Sequence, residues 1–143
     1  MTTYLAVFLA ALLAATILPF SSEVAVGAAV VAGSAPLPLW LWASLGNTVG
    51  ALINGALGRL LTTAEVRRRL RIKTSHYEQA QAWFRKWGVW SLLLAWVPVV
   101  GDALTVVAGA LRVRWWIFAT LVFAGKGARY AVLIYALMHA PRA

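Results

Sequence analysis

Only four acidic residues occur in the 143-residue chain, and two of them, Glu23 and Asp102, stand alone in long apolar stretches. An ionisable group in apolar surroundings costs about 2.5–3.5 kcal/mol on membrane-insertion scales, so each asks for a partner or a task. Capping a helix N-terminus is one task, because the helix dipole favours a carboxylate there. Ser21 and Ser22 already offer caps beside Glu23, so an acid is not needed for capping alone. Two bases match the two acids. Lys126 and Arg129 are three residues apart, on one face of any helix they share, inside the apolar segment 115–138. Lys126 lies about 18 Å from the ends of that segment at 1.5 Å per residue, a long way to snorkel. Together these groups sum to zero charge. They form either closed ion pairs or a set in which the bases hold an anionic headgroup while an acid takes a proton. The planar fork of Arg129 suits a phosphate, binding two oxygens at once. Arg112 ends another apolar stretch and adds a base. Thr105, three residues after Asp102, donates its hydroxyl to a ligand or back-bonds within its helix. Asn47 lies beside a stripe of small residues and reads as interhelical glue. The candidate substrate- and proton-binding set is therefore Glu23, Asp102, Lys126, Arg129, Arg112, Ser22, Thr105 and Asn47.

Other chemistries lack the residues they need. There is no cysteine, and the two histidines, His76 and His139, are far apart, so neither a metal nor another cofactor is expected. No nucleophile–base pair and no glycine-rich phosphate loop occur, and no enzyme is expected. The chain is 62% hydrophobic and 12% charged, against about 45–50% and about 25% for a soluble domain. Its solvent is lipid. Eight of the basic residues lie between Arg59 and Lys86, among them Arg67, Arg68, Arg69, Arg71 and Lys73, with only Glu65 and Glu78 against them. A basic run can bind nucleic acid. Flanked by long apolar stretches, this one reads as a cytoplasmic loop obeying the positive-inside rule and touching anionic headgroups. The expected partners are membrane lipids, not nucleic acid. A homo-oligomer is compatible with the chain, and its order is not specified.

The elements that must position these groups follow from the apolar segments. Residues 3–18 suit a helix of about 24 Å, short of the roughly 30 Å hydrocarbon core. It is not expected to be a cleaved signal, since no Lys or Arg precedes it and it runs on into Leu18-Pro19-Phe20-Ser21-Ser22-Glu23. Pro19 ends it. A second short arm follows and stops at Gly33-Ser34-Ala35-Pro36. Residues 38–61, opened by Trp40 and Trp42, are long enough to span. Within them Gly46, Gly50, Asn54 and Gly58 recur every four residues, a face built for close packing. Residues 62–87 form the basic, partly amphipathic loop. Residues 88–111 again make two short arms around a corner, Val97-Pro98-Val99-Val100-Gly101-Asp102. Residues 115–138 form a second span, opened by Trp115 and Trp116.

The halves repeat. Pro19 to Glu23 and Pro98 to Asp102 share the pattern of a proline, three residues and an acid, 79 residues apart. Each following arm ends in Ala-Gly, at Ala32-Gly33 and Ala108-Gly109. Short broken segments in corresponding positions point to a transporter with inverted repeats. If 88–111 enters and leaves on one side, Arg112 and Arg114 share the side of the basic loop, as the positive-inside rule requires. The expected fold is thus an all-α integral membrane protein of one domain. Its first repeat, 3–61, is a re-entrant hairpin 3–35 and span 38–61. Its second, 88–138, is an opposed re-entrant hairpin 88–111 and span 115–138. The corners would meet near the midplane, where non-helical backbone must be buried in protein or line a wet cavity.

The segments Leu18-Pro-Phe-Ser-Ser-Glu23, Gly46-Asn-Thr-Val-Gly50, Trp96-Val-Pro-Val-Val-Gly-Asp102-Ala-Leu-Thr105, Val107-Ala-Gly109 and Gly125-Lys-Gly-Ala-Arg129-Tyr130 together resemble the small YqaA-like branch of the DedA membrane-protein family, which carries the VTT domain. The resemblance covers about residues 4–135. It implies the same pair of opposed re-entrant hairpins, a multi-pass location in the bacterial inner membrane, and lipid transport. Relatives are linked to flipping undecaprenyl phosphate or phospholipids, often with proton coupling, and eukaryotic relatives to lipid scrambling. The family's first-hairpin acid carries over to Glu23. Larger DedA proteins tend to have arginines flanking the second corner, where this chain has Trp96 and Asp102. A proton-coupled carrier of a small ion or solute on the same scaffold is the alternative expectation.

Overall fold

The computed structural model describes residues 1–16, 21–61, 63–70 and 72–141. Among them it contains helices and no strand: α1 (Thr2–Thr16), α2 (Ser21–Val31), α3 (Pro36–Leu60), α4 (Thr63–Leu70), α5 (Thr74–Trp87), a 3₁₀ segment (Gly88–Leu94), α6 (Val100–Ala110) and α7 (Trp115–His139). The first corner, Pro19-Phe20, lies outside the described residues. The basic stretch read as a loop is two helices. Tyr77, Ala80, Trp83 and Phe84 of α5 recur at helical spacing and pack on Ala103, Leu104 and Val107 of α6. Trp83 is thus partly buried, while Trp87, Trp90, Trp115 and Trp116 are exposed and free to anchor at a membrane interface.

The interval of 79 residues between the corners recurs in the helices that follow. α2 and α6 are 79 residues apart at both ends, and so are α3 and α7. Local chemistry sets these ends. After α2, Gly33 at φ +82° closes the helix, with Ser34 N–H donating to Ala29 O and Gly33 N–H to Val30 O. After α6 the same pair of bonds forms around Arg112 at φ +58°, from Val113 to Ala108 O and from Arg112 to Gly109 O. Arg112, not Gly109, is therefore the counterpart of Gly33, which corrects the match between the two Ala-Gly pairs. α3 then opens with Pro36 in its first turn, where a missing N–H costs nothing.

α3 is the central element, packed by α1, α6 and α7. Its glycine stripe makes this possible. A Cβ at Gly46 would stand 2.3 Å from Phe8 O, and one at Gly50 2.7 Å from Leu12 O, so these positions seat α1. A Cβ at Gly58 would stand 2.2 Å from Val106 O, and one at Gly109 1.9 Å from Gly55 O, so the far half of the stripe seats α6. The order of contacts gives the chain's course. Phe8, Leu12 and Ala15 meet successively later positions of α3, so α1 runs parallel to it. In α7, Trp115 stacks on Arg59, Phe118 lies against Gly55 and Ile134 packs with Leu39, so α7 runs antiparallel.

Of the two full spans expected, α7 has both the length, 25 residues, and the apolar composition. α3 matches it in length at 25 residues, but among the described residues only α7 is long and apolar enough to cross a bilayer by composition. The reason is positional. Asn47, Thr48, Asn54 and four glycines of α3 are buried against protein and need not be apolar enough for lipid. Gly58→Ala should lower stability by about 1–3 kcal/mol, because the obstacle is backbone that cannot rotate away. Ile53→Ala, on the exposed face of the same helix, should change the thermal midpoint in detergent little. Equal midpoints for the two variants would contradict the close approach.

Candidate functional site

The two acids and two bases come together. α7 supplies both bases, α2 supplies one acid and α6 the other. Lys126 Nζ lies 3.6 Å from Asp102 Oδ1 and donates to Asn47 Oδ1. Arg129 pairs with Glu23 and donates through Nη1 to Trp96 O at 3.2 Å. Lys126 and Arg129 share a helix face as their spacing requires, yet they part, one toward α6 and the other toward α2. Asn47 closes the set. Its amide donates to Ala11 O at 3.0 Å and to the Tyr130 hydroxyl at 3.1 Å. Asn47 and Lys126 are the twelfth residues of α3 and α7, so the two helices meet at equivalent points.

The pairs differ in solvent access. Lys126 is 4% exposed and the Asp102 side chain 26%. The side chains of Arg129 and Glu23 are 30% and 40% exposed. Between the pairs lies a cavity of about 20 Å3, bounded by Ala14, Ser22, Asn47, Asp102, Lys126 and Arg129 and by the corner Val97–Val99. That is room for roughly one water. The arrangement can hold a small polar ligand or relay a proton between carboxylate and ammonium.

The second corner is strained. Val99 sits at φ +66°, ψ −57°, and Val100 N–H donates to Pro98 O at 2.7 Å. This is a γ-turn of the rare positive-φ kind, on a β-branched residue. Such conformations cost about 1–3 kcal/mol and persist only where the surroundings impose them. Packing does so here: a Cβ on Gly101 would stand 2.1 Å from Ala95 O, so the arms on either side of the corner already touch.

Six of the eight sequence candidates take part directly in these contacts or line the cavity: Glu23, Asp102, Lys126, Arg129, Asn47 and Ser22. Thr105 is one layer away. Its hydroxyl donates to Asp102 O at 2.6 Å, and Asn54 Nδ2 lies 3.4 Å from it, so it back-bonds as its spacing allowed. Arg112 is not in the site. It is exposed at the far end of α6, ten residues or about 15 Å of helix from Asp102, and its role is the left-handed helix stop. Asn47 is more than glue, since it joins α1, α3 and α7 at the lysine. Tyr130, Trp96 and Val99 were missed. Tyr130 and Trp96 stood in recognisable motifs; the Tyr130 hydroxyl in an apolar helix was the available signal, whereas Trp96 acts through its backbone carbonyl, which residue type does not mark. Among the described residues no group of His, Cys, Asp and Glu could hold a metal ion.

Breaking the buried pair on one side should be costly. Asp102→Ala leaves the Lys126 ammonium without its counter-charge and should lose about 3–5 kcal/mol, while Asp102→Asn with Lys126→Met together should recover most of it. Glu23→Gln, at the more exposed pair, should lose about 1 kcal/mol or less. Thermal midpoints in detergent read both, and an unrecovered double variant would contradict the assignment. Val99→Gly should raise the midpoint by an amount equivalent to about 1 kcal/mol. A fall would show that Val99 is not strained.

The chain matches the VTT domain over residues 18–139. It is 38% identical over 128 residues to inner membrane protein YqaA of Escherichia coli (strain K12), an alignment covering 88% of this chain and 84% of that protein. The Shigella flexneri protein of the same name matches equally. An uncharacterized protein of Haemophilus influenzae is 34% identical over 138 residues, covering 90% of this chain and 83% of the relative. No solved structure matches the chain. With the helical composition and the apolar sequence, these likenesses put the protein in the bacterial inner membrane, and it belongs to the VTT-domain, or DedA, family in its YqaA-like branch.

Proposed function

We propose that this protein carries an anionic lipid, a polyprenyl phosphate such as undecaprenyl phosphate or a related phospholipid, across the inner membrane, as a proton-coupled carrier rather than an enzyme. The observation that carries the reading is the set of two acids and two bases paired beside a small polar cavity that Asp102, Lys126 and Arg129 line. A purely structural ion pair needs no cavity beside it. A carrier does, because its charges must exchange partners: the bases pass from carboxylate to phosphate, and a released carboxylate takes up a proton.

The scaffold in this reading is an inverted repeat of two opposed re-entrant hairpins and two spans. The equal 79-residue spacing of α2 and α6 and of α3 and α7 supports it. So does the course of the chain. Asp102 lies at the level of Asn47, while Val113, just past α6, accepts from Arg59 at 2.8 Å near the end of α3. The second hairpin therefore leaves at the end of α3 from which the basic helices α4 and α5 start, and the positive-inside rule makes that end cytoplasmic. Glu23 meets Arg129 at the first hairpin's inner end, and Gly27 lies near Leu137 on the way out at the opposite end.

The small cavity favours a second reading, a proton-coupled carrier of a small ion or solute, since about 20 Å3 admits little more than a water without rearrangement. Proteoliposomes separate the two. Wild type should move a labelled polyprenyl phosphate between leaflets, and Glu23→Gln and Asp102→Asn should each reduce the rate to about a tenth or less while remaining inserted. A folded wild type that leaves the lipid in place but moves an ion down its gradient would replace the first reading with the second.

A further inference from the structure

Arg129 faces two compartments. On one side it bounds the polar cavity; on the other it forms the base of an apolar groove of about 300 Å3 on the outer surface, walled by Trp96 and by Gly125, Ala128 and Val132 of α7. The last three fall on one helix face at spacings of three and four. Gly125 keeps the floor low because the backbone of the 3₁₀ segment crosses it, with Leu93 O 2.5 Å from where a Cβ would stand. Trp96 and Val132 stand proud of it, 43% and 69% exposed. The volume reaches the range at which ligand pockets begin. Among the described residues, Arg129 is the sole charged one lining it.

Resting on the lipid reading above, we infer that this groove seats the hydrocarbon tail of an anionic lipid while Arg129 takes its phosphate. Charge and polarity choose this occupant. The walls are apolar, so they suit a hydrocarbon chain. The base is a guanidinium, so it suits an anion at the end of that chain. Trp96 joins the two regions: its ring walls the groove, its carbonyl accepts from Arg129, and its neighbours Ala95 and Val97 line the cavity. A phosphate entering along the groove meets Arg129 where Glu23 now binds it and competes with that carboxylate. The Glu23–Arg129 pair is the more exposed of the two pairs, so it is the one a lipid reaches first. The lipid side of the site thus opens at Arg129, and the Asp102–Lys126 pair lies behind it.

The test is photolabelling in phosphatidylcholine vesicles. One arm contains a little phosphatidic acid with a diazirine in its tail; the other contains phosphatidylcholine with the same tail. Peptide mapping should find Trp96 and residues 128–132 labelled roughly tenfold more by the phosphatidic acid than by the zwitterionic lipid. Ala128→Trp and Val132→Trp, both at exposed positions, should each keep the wild-type thermal midpoint, fill the groove and remove that excess. Arg129→Gln should bring the two lipids to equal labelling. Equal labelling by both lipids in the wild type, or an excess untouched by the tryptophan variants, overturns the inference, and so do crosslinks between two copies of the chain across this face. None of these outcomes depends on transport, so the groove can fail while the carrier reading stands. Wild type that labels as expected but moves no lipid would keep the groove and remove the carrier reading.

Discussion

An ammonium at the middle of an apolar helix sets the terms for this structure. Lys126 is buried at the twelfth residue of α7, and an isolated charge there would be prohibitively costly. It is tolerable only with acceptors at hand. Asp102 must therefore come from α6 and Asn47 from α3, so the corner before α6 must reach the level of Lys126 while α3 runs alongside. Once Asn47 is committed to Lys126, its amide engages Ala11 and Tyr130, which ties α1 into the same layer. Arg129, one turn on, binds α2 through Glu23. α7 is thus the strut to which both α2 and α6 attach.

Close backbone approach is the second constraint, and it follows from the first. Short polar side chains such as Asn47 and Asp102 reach their partners only if the helices nearly touch. The glycines of α3 and α6 allow this: Gly46, Gly58 and Gly109 each face a carbonyl of another element at a distance no Cβ would tolerate. The strain at Val99 belongs to the same scheme, since the second corner is compressed between Ala95 and Gly101. The strained turn lines the cavity, so a change in what the cavity holds acts on a corner with little conformational slack. Glu23 and Arg129 form the more exposed pair, and Lys126 with Asp102 the more buried one.

Much of this was legible in the sequence because charge in an apolar chain is conspicuous. The two lone acids and the two bases of α7 marked the site without any fold, and the proline-to-acid corners gave the 79-residue interval that the helix ends share. Partner choice was not legible. Lys126 and Arg129 on one helix face could have shared a single ligand, and only the tertiary course sends them to different helices, α6 and α2. Arg112 misled because it is a charge at the end of an apolar stretch, whereas its work is backbone geometry usually given to glycine. Val99 was invisible for the opposite reason: a β-branched residue argues against positive φ, and packing overrode that preference. The helices α4 and α5 were masked by their charge, although Tyr77, Ala80 and Phe84 carried the period.

If two hairpins enter from opposite faces and close on one polar site carried by α7, their outer ends must lie on opposite sides of the membrane. The absence of native cysteine makes single-cysteine labelling the most direct test. A membrane-impermeant maleimide applied to intact inverted and right-side-out membrane vesicles would report the side of Ser34→Cys after α2, Ser75→Cys in the basic helices and Arg112→Cys after α6. Positions 75 and 112 should label from the cytoplasmic side and position 34 from the other. Labelling of 34 and 112 from the same side, or of 112 opposite to 75, would contradict the opposed hairpins.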